Sequence, residues 1–306
     1  MSNLMEGKFS LLPKLHAKKF WSDEMVNVKA HINNIALSHT IFDLPFAFMG
    51  AILASSGRVE LWTLFLIALA VTSGRAAALA IDNLADLEFD KLQPRLAYRA
   101  MVKGEISRRE AKIFIGLCLI IMVVTVAQLP PICLQLLPLA AVPFIIYPFT
   151  KRFTGFCHVF LGVAISMAPA GGWVAAGGEI FSPAVIFLCL AVILWMAGFD
   201  AMYGAQDEEF DKSQGLHSLA TEFGAEKAFF ISKIFHVLCV ICFAAVGVTL
   251  NLGILYFVGV LIATVTLIYQ HKIISPTDFS QVTQKYFMRN GIVSVAICLC
   301  TWLNFY

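Results

Sequence analysis

The chain has 306 residues, of which 59% are hydrophobic and 14% are charged, and its mean hydropathy is +0.80. A water-soluble domain usually carries about 25% charged residues, so this composition excludes an ordinary soluble protein and indicates a lipid bilayer as the solvent. The net charge of +2 is too small to predict a nucleic-acid partner.

A polar, lysine-rich head precedes the first apolar stretch, which begins near Ile35. This spacing does not fit a cleavable signal peptide, in which a short apolar run follows the basic residues closely. We therefore predict a cytoplasmic N-terminal segment over residues 1–30 and a membrane domain over residues 31–306.

Nine apolar runs follow one another along the membrane domain. About 20 apolar residues cross the hydrocarbon core of a bilayer as a helix. Runs of that order lie near residues 34–54, 61–82, 111–129, 132–149, 156–176, 182–203, 230–250, 252–270 and 288–305. The predicted fold is therefore all-α and integral to the membrane, with nine transmembrane helices.

The basic residues fall almost entirely on one side of this topology. Of the 22 Lys and Arg, 20 lie in the N-terminal segment or in alternate loops, whereas Arg58 lies on the other side and Arg75 inside a span. Positively charged loops stay in the cytoplasm, so the N-terminus and the basic loops are predicted to be cytoplasmic, in a bacterial inner membrane or its equivalent.

Two short segments hold nine of the 20 acidic residues, at the cytoplasmic ends of the second and sixth predicted spans. Asp82, Asp86 and Asp90 are spaced by four, as are Asp207 and Asp211, so each set forms a column on one face of a helix. Aligned carboxylates repel one another, so we expect cations to bind beside them and neutralise their charge. The two columns indicate a pseudo-repeat, in which two bundles surround a central cavity.

Oxygen ligands of this kind suit Mg²⁺, which binds through carboxylates together with substrate phosphates. Basic residues surround both columns, and they are Arg95, Arg99, Lys103, Lys151, Arg152 and Lys212. Carboxylates, a metal ion and a cationic rim together predict a pocket for a magnesium–diphosphate group.

These residues also carry a resemblance to a known family. Asp86 and Asp90 match the aspartates of an N-x-x-x-D-x-x-x-D motif, and Asp207 and Asp211 match a D-x-x-x-D motif. The flanking matches are Asp200-x-x-Tyr203, Pro94-Arg95-x-x-x-Arg99 and Tyr147-Pro148-Phe149-Thr150-Lys151-Arg152. The chain thus resembles the UbiA superfamily of intramembrane prenyltransferases, most of all its 4-hydroxybenzoate polyprenyltransferase branch. Asp82 departs from the pattern, because the family usually has Asn there; either Asp82 or the neighbouring Asn83 supplies that ligand.

The resemblance implies Mg²⁺-dependent transfer of a polyprenyl group from a prenyl diphosphate to an aromatic acid such as 4-hydroxybenzoate, in ubiquinone biosynthesis. A dihydroxynaphthoate acceptor, in menaquinone biosynthesis, is the alternative. The implied metal ligands are Asp82, Asp86, Asp90, Asp207 and Asp211, of which the last four are also the implied catalytic residues. The implied diphosphate ligands are Arg95, Arg99, Tyr147, Lys151, Arg152 and Lys212, and the implied acceptor-binding residues are Arg75, Asp200 and Tyr203.

Arg75 allows two interpretations, because an arginine inside a span needs a partner. It is either an ion-pair partner of Asp82 or the ligand of an acceptor carboxylate. A transporter is the alternative from a different class, since intramembrane charges also mark ion pathways. The charges here gather at one set of helix ends instead of the membrane midplane, which favours the enzyme.

Overall fold

The computed structural model describes residues 31, 40–280 and 284–306. The predicted N-terminal segment and the first residues of the first predicted span lie outside this part of the chain. The described residues are helical apart from turns and one isolated bridge between Ser275 and Asp278. In chain order the helices are α1 (Thr40–Ala54), α2 (Leu61–Ala85), α3 (Leu87–Asp90), α4 (Arg108–Val126), α5 (Pro131–Thr150), α6 (Cys157–Ala175), α7 (Pro183–Gly204), α8 (Glu208–Ser213), α9 (Leu219–Phe223), α10 (Ala225–Thr249), α11 (Ile254–Ile273) and α12 (Gln284–Leu303), with 3₁₀ turns at Pro94–Leu96 and Ala205–Asp207.

Six of the described helices are long and apolar enough to cross a membrane, namely α2, α5, α6, α7, α10 and α11. Two shorter apolar helices, Phe42–Ala54 and Asn290–Leu303, coincide with the first and last predicted runs. The remaining predicted run corresponds to α4, whose first turns carry Arg108, Arg109, Glu110 and Lys112. The helical membrane class is therefore confirmed, whereas the count of nine and the pseudo-repeat stay predictions.

The helices differ in how much of their surface faces outward. In α7, 61% of the apolar window is buried inside the protein, against 6% in α5. Large aliphatic side chains are exposed along α4, α5, α10 and α11, as expected of surfaces that face lipid tails. Helix α7 is thus the central helix, and it packs mainly against α6 and α10.

Two glycines allow α1 and α6 to approach closely. A Cβ at Gly172 would lie 1.9 Å from the Ala47 carbonyl oxygen, and a Cβ at Gly50 would lie 2.2 Å from that of Pro169. Small residues at a helix crossing let two backbones touch inside a membrane, where close packing is a main source of association energy. This contact fixes α1 beside the cavity described below.

Candidate functional site

The first acidic column runs through the end of α2 into α3. The N–H of Asp86 donates to the Asp82 carbonyl oxygen at 2.9 Å, and the N–H of Asp90 donates to that of Asp86 at 2.9 Å. These two i to i−4 hydrogen bonds carry the helical spacing across the junction. The three carboxylates therefore line one cavity, as the spacing predicts.

The second column lies just beyond the end of α7. The chain tightens into a 3₁₀ turn that ends at Asp207, and Asp211 follows on α8. Gly215, with φ of +67°, then ends α8, while the N–H of Leu216 donates to the Asp211 carbonyl oxygen at 2.9 Å. A glycine in the left-handed region is the usual residue for this kind of helix end.

A cavity of about 1110 Å³ lies between the two columns. Twelve of the 14 predicted site residues line it, and they are Arg75, Asp82, Asp86, Asp90, Arg95, Arg99, Tyr147, Lys151, Asp200, Tyr203, Asp207 and Asp211. Apolar side chains, among them Phe42 and Phe199, form other parts of the wall. The cavity therefore combines a charged end with an apolar interior.

Arg152 and Lys212 are not among the lining residues. Arg152 donates to the Ala85 carbonyl oxygen at 2.9 Å and lies over the ring of Phe149, 4.9 Å from its centroid. Lys212 donates to Glu208 at 2.6 Å on the exposed side of α8. Both residues neighbour the site in sequence, but local partners hold their side chains away from the cavity.

Three of the five column carboxylates are paired with cations from other segments. Lys151 pairs with Asp86, Arg99 contacts Asp90 at 2.5 Å, and Arg95 contacts Asp207 at 2.5 Å. Gln93 also donates to Asp207, at 2.6 Å. These contacts join the loop after α3 to both columns and the end of α5 to the first column.

The same contacts set the charge of the site. Burial disfavours the charged form of Lys151, yet Asp86, Asp82 and Asp90 together outweigh this effect and hold the pKa of Lys151 above its usual value. Burial raises the pKa of Asp90, while the nearby Arg99 acts in the opposite direction. The site is thus a compact network in which acids and bases depend on one another.

In the part of the chain that the structure describes, no group of three or more His, Cys, Asp or Glu is arranged to hold a metal ion. The carboxylate oxygen atoms of the two acidic columns nevertheless suit a metal ion. Asp86 Oδ1 is buried without a hydrogen-bond partner among the described residues, and no described cation lies within ion-pair distance of Asp211. A buried carboxylate oxygen needs a donor or a cation, so it has capacity for a hard ion.

The structure corrects the predicted ion pair of Arg75. The guanidinium of Arg75 pairs with Asp43 on α1, not with Asp82. Asp82 instead neighbours the Tyr147 hydroxyl group on α5. The reason is the close position of α1, which brings Asp43 against α2 on the cavity side. Arg75 Nε and Asp43 Oδ1 are buried and have no hydrogen-bond partner in the part of the chain that the structure describes.

Three further side chains line the cavity but are not among the predicted site residues. Gln93 lies two residues before Arg95, and only its contact with Asp207 reveals it. His158 bonds Asp200 at 2.7 Å and lines the cavity. His217 also lines the cavity and bonds Glu222 at 2.5 Å.

The fold and the site together define an integral-membrane protein with a cavity suited to a charged headgroup and an apolar tail. Residues 44–292 match the UbiA prenyltransferase family, and the chain belongs to that family. It is therefore an enzyme, a prenyltransferase similar to the 4-hydroxybenzoate octaprenyltransferases described next.

The 4-hydroxybenzoate octaprenyltransferase of Marinobacter nauticus is 31% identical over 249 residues, which cover 81% of this chain and 83% of that protein. The enzyme of the same name from Photobacterium profundum is 30% identical, with 81% and 85% covered. The apo structure of a UbiA homologue from Aeropyrum pernix K1 has a TM-score of 0.77 at 33% identity, and the match covers 86% of this chain and 97% of the homologue. A homologue from Archaeoglobus fulgidus, solved with DMAPP and Mg²⁺, shares the fold at a TM-score of 0.69 and 20% identity, with 90% and 98% covered.

Proposed function

We propose that this protein transfers a polyprenyl group from a prenyl diphosphate to an aromatic acid of the 4-hydroxybenzoate type, with Mg²⁺ as the metal. The observation that carries the proposal is the pair of acidic columns facing each other across one cavity with Lys151, Arg95 and Arg99 between them. The names of the relatives from Marinobacter nauticus and Photobacterium profundum support the acceptor class.

The column carboxylates would hold the metal, and Asp86 Oδ1 and Asp211 offer the free oxygen atoms. Bound Mg²⁺ supplies positive charge to the diphosphate oxygen atoms and so favours the departure of that group. The family usually has Asn at the position of Asp82, and the Tyr147 hydroxyl group beside Asp82 supports a role for this carboxylate in the column.

The cations of the site have the complementary role. Lys151, Arg95 and Arg99 neutralise the carboxylates in the described structure. When a diphosphate binds, these donors can transfer to its oxygen atoms, where they stabilise the charge that grows as the allylic C–O bond breaks. Arg152 and Lys212 bond to other groups. They would then add positive charge near the diphosphate without contacting it directly.

The apolar part of the cavity suits the prenyl chain. Its wall includes the side chains of Phe42, Leu161, Ile165, Met196 and Phe199. Aromatic and aliphatic side chains exclude water from a reactive carbocation, and aromatic faces also attract its charge. We propose nine transmembrane helices in two pseudo-repeated bundles, with the cavity mouth and the N-terminus in the cytoplasm, which the distribution of basic residues supports.

The test is prenyl transfer by purified protein in detergent, with a long-chain prenyl diphosphate and either 4-hydroxybenzoate or 1,4-dihydroxy-6-naphthoate. We expect Mg²⁺-dependent product from wild type and a loss on the order of 10²-fold or more in Asp86→Asn. Glu88→Gln is the matched control, because Glu88 lies between Asp86 and Asp90 but pairs with Arg108 on the surface. Product with the naphthoate alone would assign the menaquinone branch, and no product with any aromatic acceptor would refute the proposal.

A further inference from the structure

His158 and Asp200 form a hydrogen-bonded pair inside the cavity, apart from both acidic columns. His158 Nδ1 lies 2.7 Å from Asp200 Oδ2, which joins the start of α6 to the last turns of α7. The side chain of His158 is 5% exposed and that of Asp200 is 29% exposed. The imidazole is therefore the buried member of the pair, and the carboxylate is the member that reaches the cavity.

The backbone of α7 provides room for the imidazole. A Cβ at Gly204 would lie 3.2 Å from Cε1 of His158, so a larger residue there would press on the ring. Asp200 and Gly204 are four residues apart and share one face of α7. The ring is thus packed against the helix that carries Asp200, and its hydrogen bond restricts the rotation of that carboxylate.

Only one of the two Asp200 oxygen atoms is occupied by this contact. Oδ2 is bonded to His158, while Oδ1 makes no hydrogen bond among the described residues. His158 Nε2 is buried and likewise has no partner there. Since Nε2 is not accessible from the cavity, any reaction of the pair with a substrate must occur at Asp200 Oδ1.

Asp200 lies on the apolar side of the second acidic column. It precedes Asp207 by seven residues, so it lies about 10 Å from Asp207 along the helix axis, towards the apolar part of α7. Phe199 and Met196, both lining the cavity, are its neighbours on α7. A carboxylate in such apolar surroundings is costly, and intramembrane acids are kept mostly where they serve function.

We infer that Asp200 takes the proton that the aromatic acceptor loses, and that His158 is the positioning residue that aims Asp200 Oδ1 at the acceptor. This inference rests on the proposed function. In the step, the ring carbon beside the hydroxyl group bonds to the allylic carbon, and the allylic C–O electron pair leaves with the diphosphate. The hydrogen on that ring carbon passes as a proton to Asp200 Oδ1, its bonding electrons restore aromaticity, and the proton then leaves to solvent.

Three variants test the inference. His158→Leu removes the donor to Asp200, His158→Asn keeps an N–H donor near the position of Nδ1, and Asp200→Asn removes the base. His236→Leu is the matched control: His236 is also a buried helical imidazole, bonded to His271 at 2.8 Å, but it does not line the cavity. Each variant is compared for thermal stability in detergent and for Mg²⁺-dependent diphosphate release in the absence of an acceptor.

The decisive readout is the kinetic isotope effect with an acceptor deuterated at the ring carbons beside the hydroxyl group. We expect kcat to fall about 10- to 100-fold in His158→Leu, as for other residues that orient a functional group. Asp200→Asn should fall about 10²- to 10⁴-fold, the usual contribution of a general base. In both variants a primary isotope effect should appear, because removal of the ring proton then limits the rate. His158→Asn should recover most of the rate.

The outcomes separate this inference from the proposed function. If wild type prenylates the acceptor but His158→Leu and Asp200→Asn show the isotope effect of wild type, the inference is refuted and the proposed function stands. If His158→Leu loses only stability, as His236→Leu should, the pair is a structural link between α6 and α7 and the inference is again refuted. If wild type releases diphosphate and prenylates no aromatic acceptor, both are refuted.

Discussion

Replacing Lys151 with Met separates the two roles that the site assigns to this lysine. Lys151 neutralises Asp86, whose side chain is 7% exposed, beside two further acids of the same column. Met keeps most of the aliphatic volume but leaves Asp86 without its cation. Removing one partner of a buried ion pair costs about 3–5 kcal/mol, and because Lys151 is 29% exposed we expect a smaller loss, about 1–3 kcal/mol.

The same change should strengthen the stabilising effect of Mg²⁺. On the proposed function, Lys151 and Mg²⁺ compete to neutralise Asp86, and in the apo protein Lys151 already does so in part. Without Lys151, an ion that binds the folded column replaces a missing charge, and ligand binding to the folded state raises its stability. We therefore expect Mg²⁺ to raise the Tm of Lys151→Met more than that of wild type. Prenyl transfer should nevertheless fall about 10²- to 10³-fold, because a donor to the leaving diphosphate is lost.

The assay is thermal unfolding in detergent over a Mg²⁺ titration, with transfer measured on the same samples. Lys212→Met is the control, because Lys212 pairs with Glu208 outside the cavity. It should show the Mg²⁺ response of wild type and nearly normal transfer. The reasoning is refuted if Lys151→Met gains no more from Mg²⁺ than wild type does, since Lys151 would then not compete with the metal for Asp86.

Three further predictions follow from packing and pairing. Asp43→Asn should destabilise the protein by about 3 kcal/mol or more, because it leaves Arg75 buried without a counter-charge. The Tm measures this loss, and the double variant Asp43→Asn with Arg75→Met should recover part of it. Gly172→Ala places a Cβ 1.9 Å from a backbone oxygen of α1, and overpacking costs about 1–3 kcal/mol; an unchanged Tm would contradict the close contact. Gln93→Ala removes one donor to Asp207 and should raise the KM for the prenyl diphosphate by about fivefold, consistent with roughly 1 kcal/mol per hydrogen bond; an unchanged KM would show that the contact does not order the site.

The acidic columns could be predicted from the sequence because their geometry is local. A spacing of four residues places carboxylates on one helical face, and the backbone bonds from Asp86 to Asp82 and from Asp90 to Asp86 preserve that spacing although α2 ends at Ala85. Lys151, Arg95 and Arg99 could be predicted for a related reason, because clustered acids in an apolar protein require cations nearby.

Contacts between distant segments could not be predicted in the same way. Asp43 lies 32 residues before Arg75, and nothing in the spacing distinguishes it from Asp82 as the partner. Adjacency in sequence was also misleading for Lys212, which follows Asp211 directly but faces Glu208. The role of His158 depends on how α6 packs against α7, which requires the fold.

The central claim is that both acidic columns act together in one magnesium–diphosphate site. Calorimetric titration of the purified protein with a non-hydrolysable prenyl diphosphate analogue, with and without Mg²⁺, tests it most directly. We expect Mg²⁺-dependent binding by wild type that is lost in Asp86→Asn and also in Asp211→Asn, one variant from each column. Binding that needs no Mg²⁺, or that survives the loss of either column, would contradict the account.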